Sequence, residues 1–144
     1  MGIVEKLRGR RVYLDTNIFI YAVEAVAEYA AVVDALFDLI EGHGIEAVTG
    51  ELTLAEALAK PFEAGRPDIA QVYESMLVPS PWLSVLPVER AILIEAARLQ
   101  AALTLRLPDA IHVTTAVAAG CNALLSNDQR IKVPPGLALV RFAE

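Results

Sequence analysis

Four acidic residues lie along this chain in settings that suit a metal site. They follow short apolar runs or stand near predicted helix starts, and they are Asp15, Glu56, Asp109 and Asp128. Carboxylates packed closely repel one another, so such a cluster makes physical sense only around a hard cation. A carboxylate-held Mg²⁺ or Mn²⁺ with open coordination positions is the usual equipment for hydrolysing phosphodiester bonds. The four acids therefore predict metal-dependent nuclease chemistry if the fold brings them together.

Each acid taken singly also has an ordinary structural explanation. Asp15 can cap a helix at a strand-to-helix junction, and Asp109 in a first helical turn suits the helix dipole. Thr53 and Glu56 match a capping box, but a cap at Thr49 would place Glu56 inside the helix, where it needs another reason. These structural roles explain any one of the acids well. They explain less well why four acids would lie at one edge of a sheet.

The composition predicts a single layered domain over residues 1–144. A chain of 144 residues with 56% apolar content can bury a real core, and this content rules out disorder. Residues 110–127 carry no formal charge, yet their interspersed polar side chains argue against a membrane span. The single cysteine, Cys121, excludes an internal disulfide and a cysteine-based zinc site, and it fits a reducing cytosol. We therefore expect a cytoplasmic protein that does not associate with a membrane.

The formal net charge of −6 is unusual for an enzyme of nucleic acids, because such proteins usually attract phosphates with a basic surface. The four candidate ligands contribute −4 of this charge, and two divalent cations would bring the total from −6 to −2. The charge therefore argues against strong non-specific binding but leaves a metal-dependent nuclease open. Arg130 and Lys132, just beyond Asp128, are candidate phosphate contacts.

Hydrophobic patterning predicts alternating strands and helices. Short apolar strands are expected at residues 11–15, 45–48, 83–86, 123–125 and 137–142. Helices are expected at residues 25–41, 49–60, 67–77, 89–103 and 108–119. The second of these would be capped by Thr49 and end before Pro61. The predicted buried side of the fourth consists of Ile92, Leu93, Ala96, Leu99 and Leu103.

Apolar strands in alternation with helices predict an α/β fold of three layers, helix on sheet on helix. The sheet would be mainly parallel, with about five short strands that are buried on both faces. In such a fold, ligands gather at the carboxyl ends of the strands. Asp15 and Asp128 follow strands at this edge, and Glu56 and Asp109 lie on helices that could face it. The architecture therefore allows the four acids to converge.

Four short motifs, in this order, resemble the PIN domain family. They are Asp-Thr-Asn-Ile at residues 15–18, Thr-Gly-Glu-Leu-Thr-Leu-Ala-Glu at 49–56, Leu-Pro-Asp-Ala-Ile-His at 107–112 and Ser-Asn-Asp at 126–128. The resemblance covers almost the whole chain, and within the family the chain is similar to the small stand-alone VapC-type toxins of toxin–antitoxin pairs. Ser126 replaces a threonine that often precedes Asn-Asp, and it keeps the hydroxyl.

The resemblance implies a ribonuclease whose acidic tetrad, Asp15, Glu56, Asp109 and Asp128, binds Mg²⁺ or Mn²⁺. Asp15 and Asp109 would be direct ligands, while Asp128 and Glu56 would complete or orient the shell. Supporting hydrogen bonds are expected from Thr16, Asn17, Ser126 and Asn127. The metal would polarise the phosphate and lower the pKa of a bound water, which attacks in line. The products would carry a 5′-phosphate and a 3′-hydroxyl.

The resemblance also implies partners: an RNA substrate, an antitoxin protein and a second copy of the chain in a homodimer. An antitoxin tail would lie near the acidic pocket, where an arginine would pair well with the carboxylates. The sequence gives a separate reason to expect a partner, because Val32 and Leu39 lie outside the main apolar stripe of the helix at residues 25–41. A surplus of apolar surface of this kind indicates a dimer or a groove covered by an antitoxin, unless the helix is simply buried deep between the layers of the fold.

Other functions predict different residues at these positions or share the same ones. A haloacid-dehalogenase-like phosphatase needs a second aspartate two residues after the first, where this chain has Asn17. A catalytically inactive PIN fold that serves as a binding module would have lost an acid, and all four are present. A PIN nuclease of RNA processing, without an antitoxin, would have the same residues and stays open. His112 is expected to be a packing residue, because a PIN site needs no histidine.

Overall fold

Five parallel strands form the sheet in the computed structural model, which describes residues 2–142. The strands are β1 (Arg11–Leu14), β2 (Glu46–Gly50), β3 (Leu83–Leu86), β4 (Ala123–Ser126) and β5 (Ala138–Arg141). Their order is β3-β2-β1-β4-β5, and each neighbouring pair is parallel. Chain connections run to opposite sides of the central β1, so a crevice opens at the carboxyl ends of β1 and β4.

Six α-helices, counted over the described residues, cover the two faces of this sheet. They are α1 (Thr16–Val23), α2 (Ala30–Glu41), α3 (Glu51–Glu63), α4 (Pro67–Met76), α5 (Arg90–Leu103) and α6 (Leu107–Ala118). Val12 and Leu14 pack in the core formed with α1 to α4, whereas Tyr13 and Leu124 pack with α6. Because side chains alternate along a strand, these contacts place α1 to α4 on one face and α6, with α5 against it, on the other. The predicted three-layer α/β fold is confirmed.

The segment after β1 differs from the prediction. Residues 16–23 form α1, which hydrophobic patterning did not predict because this segment is apolar on nearly all sides and carries no amphipathic period. The helix expected from residue 25 begins only at Ala30. Ala25 has a positive φ of 49°, and Ala27–Tyr29 forms a short 3-10 turn before α2 starts.

The helix that carries Glu56 also begins and ends later than predicted. Thr49 belongs to β2, where its hydroxyl donates to the Leu14 carbonyl at 2.9 Å, so the prediction that Thr49 caps this helix was wrong. The helix starts at Glu51 and continues through Pro61, which removes only one backbone hydrogen bond near its end. Glu56 lies inside the helix, as the sequence predicted.

Apolar exposure differs from the prediction on two helices. On α5 only Ala96 is buried, and Leu93 is 45% exposed, because this helix packs mainly against α6 rather than flat on the sheet. On α2 Leu39 is buried in the core, and Val32 is half-buried against it. The surplus of apolar surface expected on α2 is therefore smaller than predicted, and exposed apolar side chains lie elsewhere.

Two features bear on the expectations drawn from composition. Across residues 2–142, no helix has the length and apolar character needed to cross a membrane. Cys121 packs beside α6, and burial raises the pKa of its thiol to about 11. A buried, protonated thiol of this kind is typical of a small core residue.

Candidate functional site

The candidate site lies at the carboxyl edge of the sheet, where β1 and β4 end side by side. Asp15 directly follows β1, and Asp128 comes two residues after Ser126, the last residue of β4. Glu56 comes from α3 on one face of the sheet, and Asp109 comes from the first turn of α6 on the other. These two helices contact each other at this edge. Four separate segments of the chain therefore each bring one acid to it.

Asp15 is held from two sides and is only 6% exposed. Its Oδ1 accepts from the Thr16 backbone N–H at 2.8 Å, which caps α1, and its Oδ2 accepts from the Ser126 hydroxyl at 2.5 Å. Burial raises the pKa of Asp15, although the neighbouring His112 and the Ser126 hydrogen bond oppose the shift. Asp15 is thus both a helix cap and a buried carboxylate that favours a compensating positive charge.

Glu56 meets His112 and Thr16 across the sheet edge. His112 Nε2 lies 2.5 Å from Glu56 Oε1 and 3.8 Å from Asp15 Oδ1, and the Thr16 hydroxyl donates to Glu56 Oε1 at 2.7 Å. Burial alone would raise the pKa of Glu56, but the hydrogen bond and charge of His112 outweigh it and lower this pKa. Burial likewise opposes the protonated form of His112, but Glu56 and Asp15 outweigh it and raise the pKa of His112.

Asp109 and Asp128 share one arginine. Arg106, the residue that precedes α6, donates from Nε and Nη2 to the two oxygens of Asp109 at 3.0 and 3.1 Å. Its Nη2 also donates to Asp128 Oδ2 at 3.2 Å. Asp109 is 5% exposed, so the guanidinium compensates a charge that water reaches poorly. The arginine pairing that the resemblance placed on an antitoxin is therefore made within this chain.

Asp128 has a second basic partner next to it in sequence. The backbone N–H of Arg130 donates to Asp128 Oδ1 at 2.9 Å, and the guanidinium Nε lies 3.2 Å from the same oxygen. Burial opposes ionisation of Asp128, but Arg130 and Arg106 outweigh it and lower the pKa of this carboxyl. Lys132 instead donates to the Leu103 carbonyl at 3.1 Å. Of the two predicted phosphate contacts, only Arg130 lies beside the acids.

Ser126 and Asn17 support the site where β4 ends. The Ser126 hydroxyl donates to Asp15 and accepts from the Asp128 backbone N–H at 3.0 Å, so it links these two acids. Asn17 Nδ2 lies 3.5 Å from the Ser126 hydroxyl oxygen. Within residues 2–142, Asn17 Oδ1 is buried and has no hydrogen-bond partner. A buried amide oxygen without a donor is suited to a water or a cation.

Asn127 contacts aromatic side chains rather than carboxylates. Its Nδ2 donates to the hydroxyls of Tyr21 and Tyr29 at 3.1 and 3.0 Å. These two rings stack with their centroids 4.2 Å apart. Asn127 therefore holds the loop that carries Asp128, and its support of the acids is indirect.

Hydrogen bonds join the four acids in one network, in which other residues lie between one acid and the next. His112 and Thr16 connect Glu56 with Asp15, Ser126 connects Asp15 with Asp128, and Arg106 connects Asp128 with Asp109. Within the part of the chain that the structure describes, no three His, Cys, Asp or Glu side chains are arranged to hold a metal ion as they stand. The donor set nevertheless fits a hard divalent cation, because it consists of carboxylates and the free Asn17 Oδ1.

Two residues of the network, Arg106 and His112, contact the acids in ways that the sequence did not predict. No role for Arg106 is predicted in the sequence analysis. An arginine three residues before an aspartate at a helix start is nevertheless a recognisable signal of an i,i+3 ion pair. His112 is 1% exposed, as a packing residue would be, but its ring nitrogen contacts Glu56 rather than a backbone carbonyl. No local signal showed this contact, because 56 positions separate the two residues in sequence.

The fold and this edge define a three-layer α/β domain with an acidic site at the crevice between β1 and β4. The family model for the PIN domain matches residues 12–137. The chain therefore belongs to the PIN domain family. PIN domains are generally nucleases.

Comparison with solved structures gives the same fold. A toxin–antitoxin complex from Klebsiella pneumoniae is similar at 19% identity and a TM-score of 0.64, over 88% of this chain and 95% of that one. DNA-bound VapBC from Salmonella typhimurium is similar at 18% identity and a TM-score of 0.71, over 92% and 98%. VapBC2 from Rickettsia felis, bound to a promoter DNA fragment, is similar at 18% identity and a TM-score of 0.66, over 90% and 97%. Comparison with curated protein sequences gives no match.

Proposed function

We propose that this chain, as one PIN nuclease domain, is a metal-dependent endoribonuclease. The observation that carries the proposal is the network that ties Asp15, Glu56, Asp109 and Asp128 together at the carboxyl ends of β1 and β4. Two of these acids, Asp15 and Asp109, are buried; Arg106 already compensates Asp109, and a bound cation would compensate the charge of Asp15. PIN nucleases typically use divalent metals, and we propose Mg²⁺ or Mn²⁺ for this chain.

Asp15 and Asp109 would be the direct ligands of such an ion, with Asp128 and Glu56 completing or orienting the shell. Once bound, the ion would supply a water of lowered pKa and would polarise the scissile phosphate. Thr16 and Ser126 hold the two oxygens of Asp15 in fixed positions, and Asn17 offers a neutral oxygen beside them. Arg130 is exposed at the same edge and would attract the RNA backbone.

Mn²⁺ is expected to raise the melting temperature of the protein. An ion that binds only the folded state at about 100 times its dissociation constant adds roughly 2.7 kcal/mol of stability. For a domain of this size, that corresponds to a rise of about 5–10 °C. Scanning calorimetry in EDTA, Mn²⁺ and Ca²⁺ measures the rise, and Glu63→Gln, at an exposed acid at the end of α3, should retain it. The absence of any rise in millimolar Mn²⁺ would count against the metal site.

We further propose that the chain is the toxin of a toxin–antitoxin pair. The solved structures that share its fold include a toxin–antitoxin complex and two VapBC complexes, each similar over most of both chains. The partner would be an antitoxin encoded by a small neighbouring gene. Co-expression with the product of such a gene should suppress cleavage and yield a stable complex. A PIN nuclease of RNA processing would show neither result.

The purified protein is expected to be a homodimer. Large apolar side chains remain exposed on α5 and α6, which pack against each other, and they include Leu93, Ile94 and Val117. Burying such groups between two copies would remove apolar area from water, which favours association. Light scattering over a range of protein concentrations measures the mass in solution. A monomer at micromolar concentration would contradict the dimer without affecting the proposed chemistry.

A further inference from the structure

Glu56 has the most exposed side chain of the four acids. Asp15 accepts from a backbone N–H and a serine, Asp109 accepts two bonds from Arg106, and Asp128 has two arginines. Glu56 has a longer and more flexible side chain, which is 35% exposed. Within residues 2–142, the hydrogen-bond partners of its Oε1 are His112 and Thr16. A glutamate in this setting keeps one rotamer only if another group fixes its carboxylate.

His112 can fix this carboxylate because both of its ring nitrogens are engaged. Nε2 lies 2.5 Å from Glu56 Oε1, and Nδ1 lies 2.7 Å from the Tyr13 hydroxyl oxygen. An ionised carboxylate only accepts hydrogen bonds, so the proton of this contact is on Nε2. The two contacts lie on opposite sides of the imidazole and together prevent the ring from rotating. An apolar side chain would fill the same space but would leave Glu56 without this donor.

Tyr13 makes a rigid anchor for the histidine. It lies on the central strand β1, is fully buried, and packs its ring edge-on to His112 with the centroids 5.7 Å apart. A Cβ atom at Gly50 would lie 3.0 Å from the Tyr13 hydroxyl oxygen, which is closer than ordinary packing allows. The glycine on the neighbouring strand therefore leaves the room that this hydroxyl needs. This is an independent sign that the hydroxyl occupies a defined position.

We propose that His112, held by Tyr13, is a positioning residue that fixes the Glu56 carboxylate beside Asp15. This inference rests on the nuclease function proposed above and extends it to two residues outside the acidic tetrad. A hydrogen-bonded path runs from the central strand through the buried face of α6 to the exposed acid of α3. Through it, the core of the domain sets the orientation of one acid at the catalytic edge.

Substitutions at position 112 separate positioning from packing. His112→Leu removes the N–H donor, and we expect Mn²⁺-dependent cleavage of a labelled single-stranded RNA to fall in kcat by about 10–100-fold with little change in KM. His112→Gln restores an N–H donor and should recover kcat to within about fivefold of the parent. Thr115→Val is the matched control, because Thr115 is a buried polar residue of α6 whose hydroxyl donates to the Ile111 carbonyl of its own helix. It should leave kcat unchanged.

A double substitution tests whether His112 acts through Glu56. If it does, Glu56→Ala combined with His112→Leu should be no slower than Glu56→Ala alone, because without the Glu56 carboxylate His112 has no acceptor at this position to fix. Independent, multiplying losses would mean that His112 supports the fold and not this acid. Equal impairment in His112→Gln and His112→Leu, or parental kcat in a folded His112→Leu protein, would overturn the proposal.

Nuclear magnetic resonance of the metal-free protein gives a readout that does not depend on activity. The chain has two histidines, so the imidazole signals of ¹⁵N-labelled protein are few enough to assign. In EDTA we expect a His112 Nε2 proton that exchanges slowly with water. This slow exchange should be lost in Glu56→Ala, which removes the acceptor, and it should become faster in Tyr13→Phe. The His43 signals should not change. Failure of the parent to cleave RNA would refute the proposed function, whereas a rapidly exchanging Nε2 proton would refute the His112–Glu56 contact itself.

Discussion

Replacing Asp15 by Asn is expected to reduce Mn²⁺-dependent RNA cleavage by about a hundredfold or more, which is usual when electrostatic catalysis is disrupted. The variant should nevertheless be as stable in EDTA as the parent, or more stable. Asn caps helices about as well as Asp, so α1 keeps its bond to the Thr16 N–H. Because burial raises the pKa of Asp15, its charged form is disfavoured in the folded protein, and removing the charge relieves this penalty.

Urea unfolding in EDTA and a gel-based cleavage assay in Mn²⁺ measure the two effects separately. Asp109→Asn should show the same loss of cleavage, since it removes the other proposed direct ligand. Glu63→Gln serves as the control for loss of one acidic charge and should keep both parental stability and parental cleavage. If Asp15→Asn unfolds more readily in EDTA yet cuts RNA at nearly the parental rate, Asp15 is a helix cap and not a ligand.

The sequence was sufficient to predict the layers of the fold and the edge where the acids lie. Short apolar strands between helices indicate a covered parallel sheet, and this sheet is the one observed. The positions of Asp15 after β1 and Asp128 after β4 follow from strand ends, which are local features. Helix α1 was not predicted, because a segment that is apolar on nearly every side is buried whatever its conformation.

The side-chain partners of the acids could not be predicted from local sequence. The contact of Glu56 with His112 depends on α3 and α6 meeting at one edge from opposite faces of the sheet, and strand order decides this. The bridge from Arg106 to Asp128 spans 22 positions and depends on how α6 begins relative to the end of β4. The sequence therefore predicted which acids come to this edge of the sheet, but not the groups that compensate their charges.

Among the groups that compensate the acids, Arg106 has the clearest consequence for metal binding. Its guanidinium compensates Asp109 and Asp128 in the metal-free protein, and both are proposed to belong to the metal site. A divalent ion bound at these carboxylates would meet a positive charge that is already paired with them. Arg106 should therefore stabilise the metal-free protein and oppose binding of the metal.

Arg106→Gln is accordingly expected to change stability and metal affinity in opposite directions. In EDTA the variant should unfold at a lower urea concentration than the parent, because a buried Asp109 loses its charged partner. Its Mn²⁺ affinity, measured by titration calorimetry, should rise by about tenfold or more once the competing charge is gone. Arg66→Gln, which breaks an exposed pair with Asp68, is the control and should leave Mn²⁺ affinity unchanged. Weaker Mn²⁺ binding in Arg106→Gln would show that this arginine supports the metal site rather than competing with the ion.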